Sequence, residues 1–423
     1  MSLVSPSPPL SELTTRQVSW IAGGFLCTFG SMAGQTIFIS LFGTQIRAEF
    51  GLSHGEFGFL YTISTLCSAL CLIWAGSLAD RWPARRLAII SLAGRSATAL
   101  LMSNANSIVI LGIVLFLLRF FGQGMLTHIS STSMSRWFNR FRGRALAFAQ
   151  LGFSIGEALL PFAVAVAIAA IGWRQVWLAV AVSYLVFFIP VIAYFFSDPP
   201  DGRKAMARGY VNPDGGGETG ASGESWTRRA VVRDPLFWIV LTGLLAMPAL
   251  STAIFFHQTH LVAAKGWSLV TFASFFPVLA GTAVGSSLLT GMAVDRIGAW
   301  RILPFLLVPF TFAILVLWAG KSELTIPFFF MLAGMTGGMM HGTVGAIWAE
   351  LYGTAHIGSI RALSTSGMVL ASAVGPGIVG ALIDLGVDLP SQTPGFAVYC
   401  LLCSMLYLLT YKKLGLRVAG HKS

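Results

Sequence analysis

Long apolar runs, separated by short charged or turn-rich breaks, fill almost the whole chain. A membrane-spanning helix needs about 20 mostly apolar residues, and twelve runs come within a few residues of that length. They cover approximately residues 17–43, 56–79, 86–103, 107–132, 144–170, 174–196, 235–262, 269–294, 300–319, 324–350, 360–384 and 394–411. The pattern predicts an all-α membrane protein with twelve transmembrane helices.

One long polar stretch interrupts this pattern in the middle of the chain. Residues 197–234 contain Pro199, Pro200, three consecutive glycines at 215–217 and mixed charges, which is the composition of a solvated linker. We therefore expect a six-helix half at 17–196, a linker at 197–234 and a second six-helix half at 235–411. The tails are 1–16 and 412–423.

The composition excludes an ordinary soluble enzyme. Hydrophobic residues make up 55% of the 423 and charged residues only 10%, whereas soluble domains carry about 25% charged residues. The five cysteines lie inside apolar runs, the C-x-x-C at Cys400 lacks the βαβ setting of a redox motif, and no phosphate-binding loop follows a strand. We expect no catalytic site, no metal and no cofactor.

The net charge of +11 bears on the orientation of the chain in a membrane. We do not expect nucleic acid as a partner. Basic residues concentrate in the tails and in the loops after the even-numbered spans, while the opposite loops carry Arg47, Arg174, Lys265 and Lys321. The positive-inside rule then places both termini in the cytoplasm. We expect a multi-pass protein of the bacterial inner membrane.

Two short sequences recur in the two halves. Gly76-Ser77-Leu78-Ala79-Asp80-Arg81 after the second span matches Gly291-Met292-Ala293-Val294-Asp295-Arg296 after the eighth. Arg144-Ala145-Leu146 at the fifth span matches Arg361-Ala362-Leu363 at the eleventh. The number of residues between the first and the second motif is nearly the same in both halves. Duplicated halves are a feature of secondary transporters.

With these repeats, the central linker and the two G-x-x-x-D-R sequences, the chain resembles the major facilitator superfamily. The resemblance implies two pseudo-symmetric six-helix halves that alternate access to a central cavity, lined by the first, fourth, seventh and tenth helices. We expect the loop pairs to act as cytoplasmic conformational latches that hold the halves together. These residues are Asp80, Arg81, Asp295 and Arg296.

A narrower resemblance concerns monocarboxylate transporters and the related oxalate/formate porters. It rests on Trp137-Phe138 with Arg140, Arg142 and Arg144, on Gly172-Trp173-Arg174, and on the run from Gly375 to Asp384. The buried charges that those transporters use on spans one, eight and eleven have no counterpart at the matching depth. The resemblance implies a monocarboxylate substrate.

Arg119 is the strongest candidate for substrate binding. An ionised side chain near the bilayer centre costs several kcal/mol and usually faces a cavity or a partner. Arg119, Gln123, Thr127 and Ser130 fall on one face of the fourth span. Arg119 could clamp a carboxylate with its guanidinium fork, or pair with Glu157 on span five and hold the two spans together. For Arg95 on span three, a structural role is favoured.

Further candidates fall on other spans. Glu157 could carry a proton or be a permanently ionised partner of Arg119. His341 on span ten could contact substrate, take up a proton or simply hydrogen bond within the bundle. Gln35 and Gln123 could orient the ligand, with helix packing as the alternative.

Three features of the second half have structural interpretations. His257 and His260 could ligate a metal in principle, but without a nearby carboxylate in the sequence an extracellular gate or an interfacial position is favoured. The glycines at 334, 338 and 342 predict close helix packing. Gly375-Pro376-Gly377 predicts a hinge.

Together these features predict a secondary transporter that moves a small organic anion, most simply a monocarboxylate, with H⁺ as coupling ion. It would work as a monomer in the lipid bilayer. One alternative is an exporter or carrier of neutral or aromatic compounds such as a drug or a vitamin. Another is a non-transporting membrane sensor.

Overall fold

The computed structural model describes residues 14–138, 142–197, 226–353 and 356–420. These residues form helices joined by short loops, and no strand occurs among them. The long helices are α1 Thr15–Ser40, α2 His54–Ala75, α3 Ala84–Ser103, α4 Ile108–Trp137, α5 Gly143–Ile171, α6 Trp173–Phe195, α7 Pro235–Phe256, α8 Leu269–Ile297, α9 Ala299–Ala319, α10 Glu323–Tyr352, α11 Ile357–Asp384 and α12 Leu389–Ala419.

Within this described part of the chain, eleven of the long helices are apolar enough to cross a membrane. The remaining one is α3, whose mean hydropathy is lowered by Arg85, Arg86 and Arg95. The seventh span ends at Phe256, and a separate short helix, Gln258–Lys265, follows it. The all-α membrane architecture expected from the apolar runs is confirmed.

Capping side chains and glycines set the helix ends. The Thr14 hydroxyl accepts a hydrogen bond from the Gln17 N–H at 3.3 Å, and the Gln17 side chain accepts one from the Thr14 N–H at 2.9 Å. This reciprocal capping box satisfies N–H groups that lack a partner at the start of α1. Gly172, with φ of 84°, forms the turn between α5 and α6, and such a positive φ favours glycine.

The described residues divide into two compact units. The first unit falls within Met1–Ile39, Ser64–Leu160 and Val166–Glu218. The second falls within Ser40–Ile63, Pro161–Ala165 and Thr219–Ser423. The end of α1, the following loop and the first part of α2 thus pack with the second unit.

Residues 1–13, 198–225 and the side chain of Asp80 lie outside the described residues, and with them most of the predicted linker and N-terminal tail. Residues 226–234, at the end of the predicted linker, include a short helix, Arg228–Arg233, with Val231 fully buried. Asp234 accepts hydrogen bonds from the Tyr352 hydroxyl at 3.0 Å and from Arg417 at 2.8 Å. Arg417 lies on α12, which extends through most of the predicted C-terminal tail.

The backbones of α8 and α10 touch along the predicted glycine series. A Cβ atom at Gly338 would collide with the Ser286 hydroxyl and the Ala283 carbonyl, and would lie 2.7 Å from the Ser287 nitrogen. A Cβ at Gly334 would collide with the Leu279 carbonyl. Close packing, as predicted for this series, is confirmed.

We predict that Gly338→Ala destabilises the protein by about 1–3 kcal/mol, because the added methyl group has no room and the two helices must separate. Gly345→Ala is the matched control on the same helix, since a Cβ there meets nothing within 4 Å. The control variant should unfold at or slightly above the wild-type temperature, because alanine favours helix over glycine by about 0.5–1 kcal/mol. Thermal unfolding in detergent measures both. Equal melting temperatures for the two variants would contradict the packing argument.

Candidate functional site

α1 is interrupted in its second half. Its first helical segment ends at Gly30, a 3₁₀ turn covers Met32–Gly34, and Gln35 is extended with φ −81° and ψ 152° before helix resumes at Thr36. A break in a helix leaves backbone carbonyl groups without helical partners. In a membrane protein these carbonyls need donors from side chains, and the residues around the break supply them.

Arg119 lies where α4 changes its winding. α4 is α-helical over Ile108–Leu118, π-helical over Arg119–Leu126 and α-helical again over Thr127–Trp137. π-Helical turns are rare in proteins, and those that occur often lie at functional sites. The Arg119 side chain is 3% exposed, and its Nη1 donates a hydrogen bond to the Gly34 carbonyl at 3.1 Å. The candidate substrate arginine is therefore held at the break in α1.

Arg95 of α3 also lies where α1 and α4 meet. Its side chain is 1% exposed, its Nη1 donates to the Leu118 carbonyl at 2.9 Å, and its Nη2 lies 3.4 Å from the Tyr184 hydroxyl. The guanidinium also lies over the Tyr184 ring, 5.2 Å from its centroid. The Tyr184 hydroxyl in turn donates to the Gly30 carbonyl. Each recorded Arg95 partner is a neutral group.

Two glycines make room for the Arg95 guanidinium group. A Cβ at Gly34 would lie 2.6 Å from Arg95 Nη1 and 3.0 Å from the Gly122 Cα, and a Cβ at Gly122 would collide with the same nitrogen. The break in α1 and the π-helical segment of α4 therefore approach each other at backbone distance. The structural role favoured for Arg95 agrees with this position.

The side chains of the polar stripe predicted on α4 form two kinds of hydrogen bond, one to α1 and one within α4 itself. Ser130 donates to the Gly24 carbonyl of α1 at 2.9 Å, so it packs on α1 as Arg119 does. Thr127 donates to the Gln123 and Gly124 carbonyls of its own helix. The Gln123 side chain is half-buried and forms no hydrogen bond within the described residues. Gln35, which is 8% exposed, lies next to Gly34 at the break.

Glu157 is half-buried on α5. Its neighbour Gly156 packs against the break in α1, since a Cβ there would lie 2.5 Å from Met32 Cγ. Among the residues that the structure describes, the Glu157 carboxyl forms no ion pair or hydrogen bond. The alternative of a structural pair between Glu157 and Arg119 is therefore not what the structure contains.

The remaining candidates lie at exposed positions. His341 is on α10 in the second unit, on the face of Gly337 and Gly345, where an added Cβ would meet only a Met247 methyl group or open space. Arg81, Asp295 and Arg296 are exposed, and their side chains form no hydrogen bond or ion pair in the described part of the chain.

The loops that carry the repeated sequence are instead held by residues that the sequence did not single out. Arg136 donates to the Ala79 carbonyl at 2.6 Å in the first unit. In the second unit, the Glu350 carboxylate accepts hydrogen bonds from the N–H groups of Ala299 at 2.8 Å and Trp300 at 3.2 Å. In the sequence, only the position of Arg136 and Glu350 near the ends of α4 and α10 could have indicated this role.

A family model for the major facilitator superfamily matches residues 24–376. The chain belongs to the major facilitator superfamily. It is accordingly a multi-pass membrane protein, and the resemblance drawn from the repeats is confirmed at the level of the superfamily. The narrower resemblance to monocarboxylate and oxalate/formate porters stays a prediction.

One curated relative matches part of the chain. The probable sulfoacetate transporter SauU of Cupriavidus necator is 30% identical over 165 residues. The match covers 38% of this chain and 38% of that protein.

Solved structures of other transporters share the fold. A bacterial homologue of the human lysosomal transporter Spinster, in an inward-facing and unoccupied conformation, has a TM-score of 0.69 at 15% identity and 97% coverage of both chains. The nucleoside transporter NupG has a TM-score of 0.62 at 12% identity, covering 94% of this chain and 99% of its own. At these identities the likeness concerns the fold alone.

We predict that Tyr184→Phe lowers the free energy of unfolding by about 1–3 kcal/mol, because the Gly30 carbonyl at the break in α1 loses its donor in a buried position. Tyr194→Phe is the matched control, since the Tyr194 side chain is 72% exposed on the same helix. Thermal unfolding of the purified variants measures the difference. An unchanged melting temperature for Tyr184→Phe would show that the break does not depend on this hydroxyl.

Proposed function

We propose that this protein is a secondary active transporter that carries a small organic anion, a monocarboxylate or a short sulfonate, across the bacterial inner membrane by alternating access. Both termini would lie in the cytoplasm, as the distribution of basic residues predicts. One chain would contain the complete pathway.

The observation that carries this proposal is the pair of buried guanidinium groups at the break in α1. Arg119 and Arg95 are both nearly inaccessible and both donate to backbone carbonyls at the meeting of α1 and α4. Burying a guanidinium inside a membrane is costly, so such a group usually faces a cavity or a partner. Two arginines and the single carboxyl of Glu157 leave this region with excess positive charge, which favours an anionic substrate.

The substrate chemistry follows from the guanidinium group. Its planar fork binds carboxylate and sulfonate oxygens with paired, charge-assisted hydrogen bonds. Sulfoacetate, which the relative from Cupriavidus necator is named for, carries one group of each kind. In our proposal Arg119 exchanges its bond to Gly34 for the substrate, and Gln35 and Gln123 orient the ligand.

Proton symport is the proposed coupling. Glu157 lies within the membrane span without a cation partner among the described residues, which suits a carboxyl that gains and loses a proton. His341 is the second candidate, at an accessible position on α10. The pairs Asp80/Arg81 and Asp295/Arg296 would engage as latches in one conformation of the transport cycle.

We predict that sulfoacetate and short monocarboxylates raise the melting temperature of the purified protein, and that Arg119→Gln removes half or more of this shift. A ligand at about a hundred times its Kd stabilises the folded state by about 2.7 kcal/mol. Losing charge-assisted hydrogen bonds worth about 1.5–3 kcal/mol weakens binding ten- to hundredfold. Arg119→Lys keeps the charge without the fork and should show an intermediate loss.

Arg85→Gln is the matched control, because it removes one positive charge at an exposed position. It should bind and transport like the wild type in proteoliposomes. A protein that responds only to neutral aromatic compounds, with Arg119→Gln unaffected, would refute the anion proposal and favour a carrier of drugs or vitamins.

A further inference from the structure

In the second unit, α2 and α11 cross at backbone distance. A Cβ at Gly58 would lie 2.6 Å from the Pro376 carbonyl oxygen, and a Cβ at Gly380 would lie 2.7 Å from the His54 carbonyl carbon. A Cβ at Gly55 would lie 3.1 Å from the Cα of Ala381. Because such a closely packed contact has low compressibility, a displacement at its edge is transmitted to both helices.

One carboxylate fastens this crossing. Asp384, the last residue of α11, accepts hydrogen bonds from the backbone N–H groups of His54 at 3.0 Å and Gly55 at 2.7 Å. These are the first residues of α2, where the helix dipole favours a negative charge. The crossing and its carboxylate cap together form a latch between α2 and α11, and we call it the α2–α11 latch.

Three imidazole rings lie against this latch, and we call them the histidine cluster: His54, His257 and His260. The centroids of the His54 and His260 rings are 4.6 Å apart, and those of His54 and His257 are 5.8 Å apart. His257 is 3% exposed, and its Nε2 lies 2.9 Å from the Pro376 carbonyl oxygen. Because a carbonyl only accepts, this Nε2 carries the proton and Nδ1 is free to take a second one.

The charges that face the cluster come from three neighbouring elements. Arg47 lies on the short helix Gly43–Phe50, Asp384 ends α11, and Asp388 lies in the loop before α12. His260 Nε2 is buried without a hydrogen bond, 3.7 Å from Asp388 Oδ1. The other charged residues on the four helices packed here are Glu49, Glu56, Lys265 and Arg361, the last near the opposite end of α11. Lys265 donates to the Trp318 and Gly320 carbonyls.

This environment requires neutral rings. Burial lowers the pKa of His257 to about 3, against a partial rise from the bond to Pro376, and His54, His260 and Arg47 lower it further. Burial likewise lowers the pKa of His260, which Asp388 opposes and Arg47 reinforces. Once solvated, both rings return to the ordinary value of about 6.5. Protonation therefore favours the state in which α2 and α11 have separated.

Building on the proposed transport function, we propose that the histidine cluster is a proton-binding site whose protonation releases the α2–α11 latch. The charge on the rings repels Arg47 and the neighbouring imidazolium groups, and this repulsion outweighs the attraction between His260 and Asp388. The ligand is the proton itself, and no covalent bond changes. The positive-inside rule predicts that this end of the helices faces the extracytoplasmic side.

The direction of the pH dependence follows. Because the pKa values of His257 and His260 are depressed in the latched state, the latch is at full strength above about pH 7. It weakens as the pH falls below about 6.5, where the solvated rings take up protons. An acidic exterior would then open the pathway to the substrate and the proton together.

The test measures, as a function of pH, the distance between one spin label on α2 and a second label directly after the last residue of α11. Ile63 and Leu385 are exposed positions for Ile63→Cys and Leu385→Cys, with the exposed Cys67 and Cys71 replaced by serine. At pH 8 we expect one short distance, and between pH 7 and pH 5.5 a growing longer population. Asp384→Asn should give the longer population already at pH 8.

The deciding variants replace the ionisable imidazoles with side chains that still donate hydrogen bonds but cannot take up a proton. A protein with His54→Gln, His257→Gln and His260→Gln should keep the short distance at pH 5.5, because glutamine donates to the Pro376 carbonyl but does not ionise. If that protein does not fold, His260→Gln alone should shift the midpoint to lower pH. His128→Gln is the matched control, since His128 bonds to the Gly76 carbonyl in the first unit and should leave the response unchanged.

The outcomes separate this inference from the proposed function. A pH-independent distance in a protein that binds and transports anions would overturn the latch and leave the function standing. A response that persists in the glutamine variants would overturn it as well. A pH-dependent distance that the glutamine variants abolish supports the latch, even in a protein that fails to bind any organic anion.

Discussion

The backbone of a membrane-embedded helix must satisfy its own hydrogen bonds, and this constraint decides where the polar side chains of this protein lie. α1 breaks between Gly30 and Gln35, and the break exposes carbonyl groups inside the first unit. Arg119 and Tyr184 donate to two of them, while Arg95 donates to the carbonyl that precedes Arg119 and lies against Tyr184. The candidate site therefore exists because a helix is interrupted, and its charges are first of all backbone donors.

This arrangement joins stability to function. A guanidinium that is bonded to a backbone carbonyl is oriented before a ligand arrives, and it can exchange that neutral acceptor for a charged one at a net gain. The π-helical segment of α4 and the glycines at 34 and 122 keep the two helices close enough for the exchange. An anion that replaced the Gly34 carbonyl would loosen the break in α1, which is the kind of coupling that alternating access requires.

The second unit uses the same principle at a helix crossing. Asp384 satisfies the first N–H groups of α2, and His257 satisfies the carbonyl of Pro376, a residue of the predicted Gly375-Pro376-Gly377 hinge. The difference is that these donors and acceptors titrate, whereas arginine stays charged. The two arginines of the first unit thus hold a fixed charge, whereas the histidines and the carboxylate at this crossing can change theirs.

The sequence by itself determined the fold, because apolar run length, basic loops and repeated motifs are local quantities that the bilayer reads directly. It also predicted the close packing of the glycines at 334 and 338, and it pointed to Arg119 as a candidate whose role in binding stays a prediction. Only the tertiary structure decided the partners. Arg119 lies against the break in α1, where it donates to the Gly34 carbonyl. Folding also brought His54, Asp384 and Asp388 to His257 and His260, although no carboxylate stands near those histidines in the sequence. Such contacts join residues 85 or more positions apart, and helical periodicity carries no information at that range.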